Sequence, residues 1–497
     1  MKVYNCFINN KWVKPETGKW FYSENPANGE NWAKVPDCNY NDVNSAVKSA
    51  KKAFYDGEWS KISTAQRGRH LRKIGEVISK YSDLLGEIET KDNGKLPKNI
   101  TPSLKDGEWL VDSWHYYGGM CDKFEGKLLH SEVPNMHNYM NWEPFGVVAQ
   151  ILPWNSPLGT LFWKLAPCLA AGNTVVLKPS EHASCSILEL MDILLEAGLP
   201  PGVLNLVTGP GGSVGNTLVE DPRVAGISFT GSTEVGTAIT ARGSELLKKM
   251  QCEMGGKNAA IIMNDADLAK AVPGVVQGAF GSTGQRCTAT SRAIVEDGIY
   301  DEFMSKLIAQ TSALTIGDGM DETKDVAPLS SKNQLDTVLQ YIGIGTEEGA
   351  KLTLGGHHLQ DGEFAEGYYV DPTIFEDVTS KMRIAQEEIF GPVLSVFKAS
   401  DLQDAIRINN DVEFGLSSSI YTRDLVQAHE YINNSHNGMV HVNAPTLGGE
   451  VHLPFGGLGS SGIGQREQGT EGFEFFSETV TVYIDHSAGT KERSRFI

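Results

Sequence analysis

Cys287 stands in the middle of the stretch GSTGQRCTATSR, Gly281 to Arg292, with small and hydroxyl side chains around it and Arg286 directly before it. A thiol in such a setting becomes a nucleophilic thiolate when donors or positive charge lower its pKa. Glycine on the approach lets a ligand come close to the backbone. Taken alone, a small core cysteine is the simpler reading. What changes its weight is the chemistry offered by six other stretches.

Pro153-Trp154-Asn155-Ser156-Pro157 follows the apolar run GVVAQIL. An asparagine amide there can donate to a developing oxyanion, or simply shape a turn. Lys178-Pro179-Ser180-Glu181 follows TVVLK, where an acidic residue at a strand end can accept from an adenosine ribose, or line a solvated loop. In FTGSTEVG, Gly231 and Ser232 open a helix and leave backbone N–H groups free for a phosphate, although no G-x-G-x-x-G is present and Ser232 suits an ordinary N-cap. Glu253, in QCEMGGK, ends another strand beside glycines and is a candidate general base. Glu387-Glu388-Ile389-Phe390-Gly391-Pro392 and Pro454-Phe455-Gly456-Gly457 each read as a pocket wall or a packed turn.

The elements that must position these residues alternate from Gly146 onward. Five short apolar runs, GVVAQIL, TVVLK, VLNLV, AGISF and KMQCE, are separated by helical patterns at 158–171, 183–197, 213–219 and 233–241. That alternation predicts a doubly wound parallel sheet with ligands outside the carboxyl ends of its strands. A second α/β region follows Gly255-Gly256, with strands at 259–263, 293–296, 372–375 and 393–397 and helices at 266–280, 300–314 and 332–348. Before both, a hairpin turning at Asn9-Asn10 and amphipathic helices at 41–59, 64–89 and 102–117 are expected. Lys123 to Trp142 reads as a second hairpin, turning at Pro134-Asn135, and Gly472 to Asp485 as an apolar, strand-rich arm that another subunit or its own body must cover.

With 497 residues and a formal net charge of -19, the chain is long enough for two or three domains, and its acidity argues against nucleic acid and anionic membranes as partners. The first residues show no apolar signal segment, and the longest apolar stretch, 160–177, is broken by Lys164 and Pro167. Seven cysteines with no C-x-x-C argue against a disulfide framework or a structural metal, and point to reduced thiols in a cytoplasm.

PWNSP, KPSE, FTGSTEVG, EMGGK, GQRC, EEIFGPV and PFGG occur in one order and at one spacing along nearly the whole chain, which thereby resembles the aldehyde dehydrogenase superfamily. The resemblance implies an α/β fold with a Rossmann-type cofactor domain at 1–122 and 144–255 and an α/β catalytic domain at 256–465. It further implies a β-strand oligomerisation element at 123–143 and 470–490, and with it a homodimer or homotetramer. It implies NAD as cofactor, with NADP as an alternative, and a small aldehyde as substrate. By similarity Cys287 attacks the aldehyde carbon, Asn155 and the Cys287 N–H hold the oxyanion, hydride leaves to the nicotinamide, and Glu253 activates water against the thioester. Lys178 and Glu181 would contact the adenosine ribose, Gly231 and Ser232 the pyrophosphate, Glu388 the nicotinamide ribose, with Phe390 and Trp154 beside the cofactor. Trp163 and Phe455 would wall the aldehyde tunnel, and Arg286 could hold an acid group of the substrate or pair with a protein carboxylate.

Ser156 departs from the aromatic residue common at its position, and Cys252 from an apolar one. The wording GQRCTATSR is similar to that of oxo-acid semialdehyde dehydrogenases. Two competing expectations are a coenzyme A-acylating relative, which the presence of Glu253 argues against, and a non-catalytic protein that kept the fold.

Overall fold

The computed structural model describes residues 1–487. Its centre is an eight-stranded sheet whose five inner strands are the five apolar runs, in the order Lys249–Glu253, Val224–Thr230, Val147–Ile151, Thr174–Lys178, Leu204–Leu206. All four pairings among them are parallel. The three strands from Val147 to Leu206 are buried at every position, so they read as continuous apolar runs rather than alternations. Val147–Ile151 comes first in the chain yet lies in the middle. Later strands extend to both sides of it, which makes a switch point between Val147–Ile151 and Val224–Thr230. The segments that begin at Asn155 and Gly231 leave the sheet there.

Both edges of this sheet are capped in ways the composition did not announce. The hairpin Cys6–Ile8 and Lys11–Val13, turning at Asn9 and Asn10 with φ of 53° and 57°, adds antiparallel to Leu204–Leu206. At the other edge a two-residue strand, Gly462–Ile463, pairs antiparallel with Lys249–Glu253, although it comes from the segment assigned to the catalytic domain.

The second sheet has seven strands, in the order Lys351–Leu354, Thr373–Glu376, Val393–Ala399, Thr290–Glu296, Asn258–Ile262, Ser417–Tyr421, Met439–Val442. Only the first pairing is antiparallel. It sandwiches between helices such as Leu268–Phe280 and Tyr300–Ser312 on one face and Lys332–Glu347 on the other, each face with its own apolar core.

Three expectations need correction. The helix expected over 64–89 is two, Thr64–Ser79 and Ser82–Asn93. No glycine or proline marks the break. Tyr81 leaves the helical region at φ −111° and ψ 15°, and its hydroxyl donates to Glu196 at 2.6 Å. The third helix runs Trp109–Met120, because Pro102 is taken into a short 3-10 turn and Gly107, at φ 77°, separates the two. The arm begins as a helix, Gly469–Phe475, and becomes a strand only at Ser477–Asp485. Phe473, Phe475 and Phe476 bury in the core of their own chain. The strand pairs along its length with Met136–Pro144 of the same chain, which also pairs with Lys127–Leu129. Residues 488–490 of the expected oligomerisation element lie outside the described residues.

Candidate active site

A cavity of about 670 Å³ lies where the carboxyl ends of the first sheet face the second. Cys287, Glu253, Asn155, Trp154, Gly231, Ser232, Glu388, Phe390, Trp163, Arg286 and Phe455 all line it. Lys178 and Glu181 do not. They pair with each other at 3.3 Å, and Glu181 also accepts from the Gly211 N–H at 3.4 Å.

The loop carrying Cys287 is held in a costly conformation. Ser282, Thr283 and Gly284 all have positive φ, at 52°, 57° and 68°. A side chain at Gly284 would meet the Gly391 carbonyl at 2.1 Å, so the GQRC and FGP motifs approach each other only because that residue is glycine. For Ser282 and Thr283 the left-handed region is unfavourable and must be over-determined by contacts. Thr283 Oγ1 donates to Ala327 O at 2.9 Å, and Ser282 Oγ accepts from Arg286 Nε at 3.0 Å. Asn258 then fixes the far side, its Nδ2 donating to the carbonyls of Cys287 and Ala289, both at 2.8 Å. Asn155 reaches the same loop, with Nδ2 donating to Gln285 O at 3.0 Å.

Three carboxylates surround the thiol. Burial pushes the Cys287 thiol up to about 12, and the charges of Glu388, Glu253 and Glu467 add to that. Glu253, the last residue of its strand, is raised well above the carboxylate range by burial and then by Glu467, with Lys164 and Arg466 opposing. Its Oε2 is buried with no hydrogen-bond partner among the described residues. A side chain at Gly456 would meet Glu253 Oε1 at 2.3 Å, so the PFGG glycine makes room for the carboxylate. Glu388 is raised to about 7 by burial, against the Gly256 N–H that donates to it at 2.9 Å and the Lys257 charge. Several strongly shifted groups in one cleft are the signature of a reacting site rather than of a solvated surface.

Residues absent from the motif reading also take part. Lys164, within the apolar helix Pro157–Ala171, is fully buried and pairs with Glu467 Oε1. It also donates to Ser228 Oγ at 3.0 Å. A lysine in an otherwise apolar helix was the available signal. Gln334 Nε2 donates to the carbonyls of Ile389 and Phe390, both at 3.0 Å, and so shapes the loop of Phe390. Lys95 follows Gly94, which ends the helix Ser82–Asn93 at φ 80°, and enters the cavity with Glu89.

Arg286 and Lys95 differ from the carboxylates in lacking counter-charges at contact distance. Among the described residues Arg286 makes one side-chain hydrogen bond, to Ser282, and no ion pair, and Lys95 Nζ makes neither. Burial and then the Arg286 charge lower Lys95 to about 8, with Glu89 opposing. Burial raises Glu89 to about 7. The remaining walls are aromatic, with Trp163 tilted against Phe455 at 4.9 Å and against Trp109 at 5.7 Å, and Trp154 edge-on to Phe390 at 5.2 Å.

The Thr230 side of the cavity suits a dinucleotide. Thr230 Oγ1 is buried and unpartnered, and Gly231 and Ser232 precede the helix Thr233–Glu245, whose first N–H groups open beside them. These N–H groups at the sheet switch point, the partly exposed Cys287 thiol and the Glu253 carboxylate thus line one cavity.

The chain belongs to the aldehyde dehydrogenase family, whose model, described as Aldehyde dehydrogenase family, matches residues 12–482. It is 41% identical to an alpha-ketoglutaric semialdehyde dehydrogenase of Bacillus subtilis (strain 168), over 97% of this chain and 98% of that one. Among solved structures, an NAD-dependent aldehyde dehydrogenase from Sinorhizobium meliloti superimposes with a TM-score of 0.95 at 33% identity, covering 100% of this chain and 97% of that one. The NAD+ complex of an aldehyde dehydrogenase from Bacillus cereus gives 0.94 at 35% identity, over 98% and 97%. The protein is therefore an NAD(P)-dependent aldehyde oxidoreductase of α/β fold. Among the described residues no helix is long and apolar enough to cross a membrane.

Proposed function

We propose that the protein oxidises a short aldehyde carrying a carboxylate, a dicarboxylic or oxo-acid semialdehyde, to the corresponding acid. The observation that carries this reading is the pair of cations, Arg286 and Lys95, that line the cavity with no carboxylate of the described residues paired to either. A guanidinium beside the nucleophile binds a carboxylate through two parallel hydrogen bonds. The resemblance to an alpha-ketoglutaric semialdehyde dehydrogenase agrees with it. The aromatic wall of Trp109, Trp163 and Phe455 favours a second reading, oxidation of neutral aliphatic or aromatic aldehydes. A kcat/KM panel separates them. Succinic and α-ketoglutaric semialdehydes should exceed neutral aldehydes of the same length, and the reverse order would remove the first reading.

In this mechanism Cys287 Sγ bonds to the aldehyde carbon. Asn155 Nδ2, together with the Cys287 N–H, donates to the oxygen as it gains charge, giving up the contact to the Gln285 carbonyl. The ionised form of Glu253 accepts the thiol proton, a transfer that conserves the net charge of the site, and the burial that raises Glu253 well above the carboxylate range makes it the stronger base. Gly231, Ser232, Glu388, Phe390 and Trp154 would hold NAD, which would supply the hydride acceptor. Once Glu253 has released the thiol proton to solvent, its Oε2, unpartnered among the described residues, takes a proton from the water that attacks the thioester on Cys287. The buried Lys164–Glu467 pair beside Glu253 sets how readily that proton is released.

Lys178 and Glu181 serve the adenosine ribose from outside the main cavity, and Glu181 disfavours a 2′-phosphate. NAD should therefore exceed NADP in kcat/KM, and an equal or higher value with NADP would remove this role. We assign a homodimer or homotetramer, because Ser477–Asp485 is an edge strand with Val480, Tyr483 and Ile484 exposed. Light scattering should give a mass above the 54.1 kDa monomer. The cytoplasm is the compartment that suits seven free thiols.

A further inference from the structure

Far from the nucleophile, the thiols of Cys6 and Cys38 lie 3.0 Å apart, closer than the roughly 3.5 Å or more expected of unbonded heavy atoms in contact. Cys6 begins the strand Cys6–Ile8, and Cys38 sits just before the helix Tyr40–Tyr55. Both are buried, at 0% and 4% exposure, and neither lines the cavity. We propose that Cys6 and Cys38 form an oxidisable dithiol that closes to an intramolecular disulfide in the presence of a peroxide, stapling the N-terminal hairpin to the body of the nucleotide-side sheet.

A carboxylate oxygen of Asp42 lies within 4.8 Å of both sulfurs, so the cluster has the composition of a metal site. Its geometry fits a disulfide better. The Asp42 carboxylate already accepts the backbone N–H groups of Glu16 and Asn39, at 3.1 Å and 3.0 Å. Two thiolates on a tetrahedral zinc ion, each about 2.3 Å from the metal, would stand about 3.8 Å apart. The observed spacing is shorter than that, and needs about 1 Å of closure to reach the roughly 2.05 Å of a disulfide.

The reagent reaches the pair through local opening. The strand Cys6–Ile8 has one register pair to the sheet, Phe7 to Leu206, near the sheet edge, and its turn adds hydrogen bonds from Asn9 N to Asn205 and from Asn10 Nδ2 to Leu199 O. Cys38, the more exposed of the two, attacks one peroxide oxygen; the O–O bond breaks, and the sulfur becomes a sulfenic acid as one water leaves. Cys6 Sγ then attacks that sulfur, the S–S bond forms, and the hydroxyl leaves as a second water with the Cys6 proton. Two thiols lose two electrons and two protons, and the peroxide is reduced to water. The link would also steady the nucleotide side. Cys38 N donates to Thr208 O at 3.2 Å, Thr208 N donates to Cys38 Sγ at 3.4 Å, and the same loop reaches Glu181 through Gly211.

The test treats the full chain with a small excess of hydrogen peroxide, blocks free thiols with iodoacetamide in denaturant, and maps peptides without reduction. The expected result is a peptide linking Cys6 to Cys38 that dithiothreitol separates, with slower backbone hydrogen exchange over residues 4–13 in the oxidised protein. Cys38→Ser should abolish the linked peptide and leave Cys6 fully alkylated. Alkylation of both Cys6 and Cys38 in a sample where Cys287 is oxidised would overturn the proposal. So would stoichiometric bound zinc whose removal by a chelator is what exposes the two thiols. The wild-type peptide map decides even if the variant folds poorly.

Discussion

The cavity holds two groups of charge that burial treats in opposite ways. Around Cys287 stand Glu253, Glu388 and Glu467, and burial drives Glu253 and Glu388 toward the protonated form. Arg286 and Lys95 line the same space, and burial drives both toward neutrality. Two of the carboxylates are nonetheless served by the protein: Glu467 has Lys164, and Glu388 has the Gly256 N–H and the charge of Lys257. The cations are not served in the same way. Leaving two partly buried cations without an ion-pair partner among the described residues costs stability unless something else neutralises them. The contrast teaches that one group is complete for moving protons within the chain, while the other is completed by a ligand of opposite charge.

Removing the thiol gives the largest break in the first group. Cys287→Ala should abolish turnover while NAD affinity, read by fluorescence or calorimetry, stays within a few-fold. Activity within tenfold of the wild type would show that another residue attacks the aldehyde. Glu253→Gln comes next. It keeps the shape of the side chain but cannot take a proton, so turnover should fall by about 10²–10⁴. An acyl-enzyme should then build up and be visible by intact mass. Normal turnover without an adduct would place the base elsewhere.

Much of this was legible in the chain before its folding was known, for a physical reason. A parallel sheet buried on both faces needs unbroken apolar runs, and its crossovers need helices between them, so the order GVVAQIL, TVVLK, VLNLV, AGISF, KMQCE shows directly. The site motifs follow those runs because strand ends are where such sheets bind ligands. What stayed hidden depends on distance along the chain. Lys164 and Glu467 are 303 positions apart, so although the lysine stands out in an apolar helix nothing local names its partner. Gly462–Ile463 is too short to register as a strand, yet it closes the edge beside Glu253. Lys95 lies outside every motif, and only the fold brings it into the cavity. Lys178 and Glu181 were placed with the site by their motif, but they meet each other outside the main cavity.

The second group of charges gives smaller effects, graded by how each cation is held. Arg286→Leu should lower kcat/KM for a semialdehyde by about ten- to a hundredfold, the ~1.5–3 kcal/mol of a charged hydrogen bond, and barely affect a neutral aldehyde of the same length. Equal losses on both would show that Arg286 only braces the loop through Ser282. Lys95 supplies the finest distinction, because its charge can be removed by pH alone. Its pKa is lowered to about 8, chiefly by burial, from an ordinary value of 10.5. The ammonium is therefore present below pH 8 and is lost as the pH rises through that value. Over the same range the acid group of the substrate stays ionised, so only the protein side of the contact changes. KM for a semialdehyde should rise severalfold between about pH 7 and 9, while KM for a neutral aldehyde stays flat. Lys95→Met should remove the difference, giving a semialdehyde KM that is high at both pH values. Two measurements in each protein are enough. A flat semialdehyde KM in the wild type would leave Arg286 as the sole anchor, and an unchanged pH response in Lys95→Met would assign the titration to a different group, with Glu388 and Lys257, each near 7, the first to test.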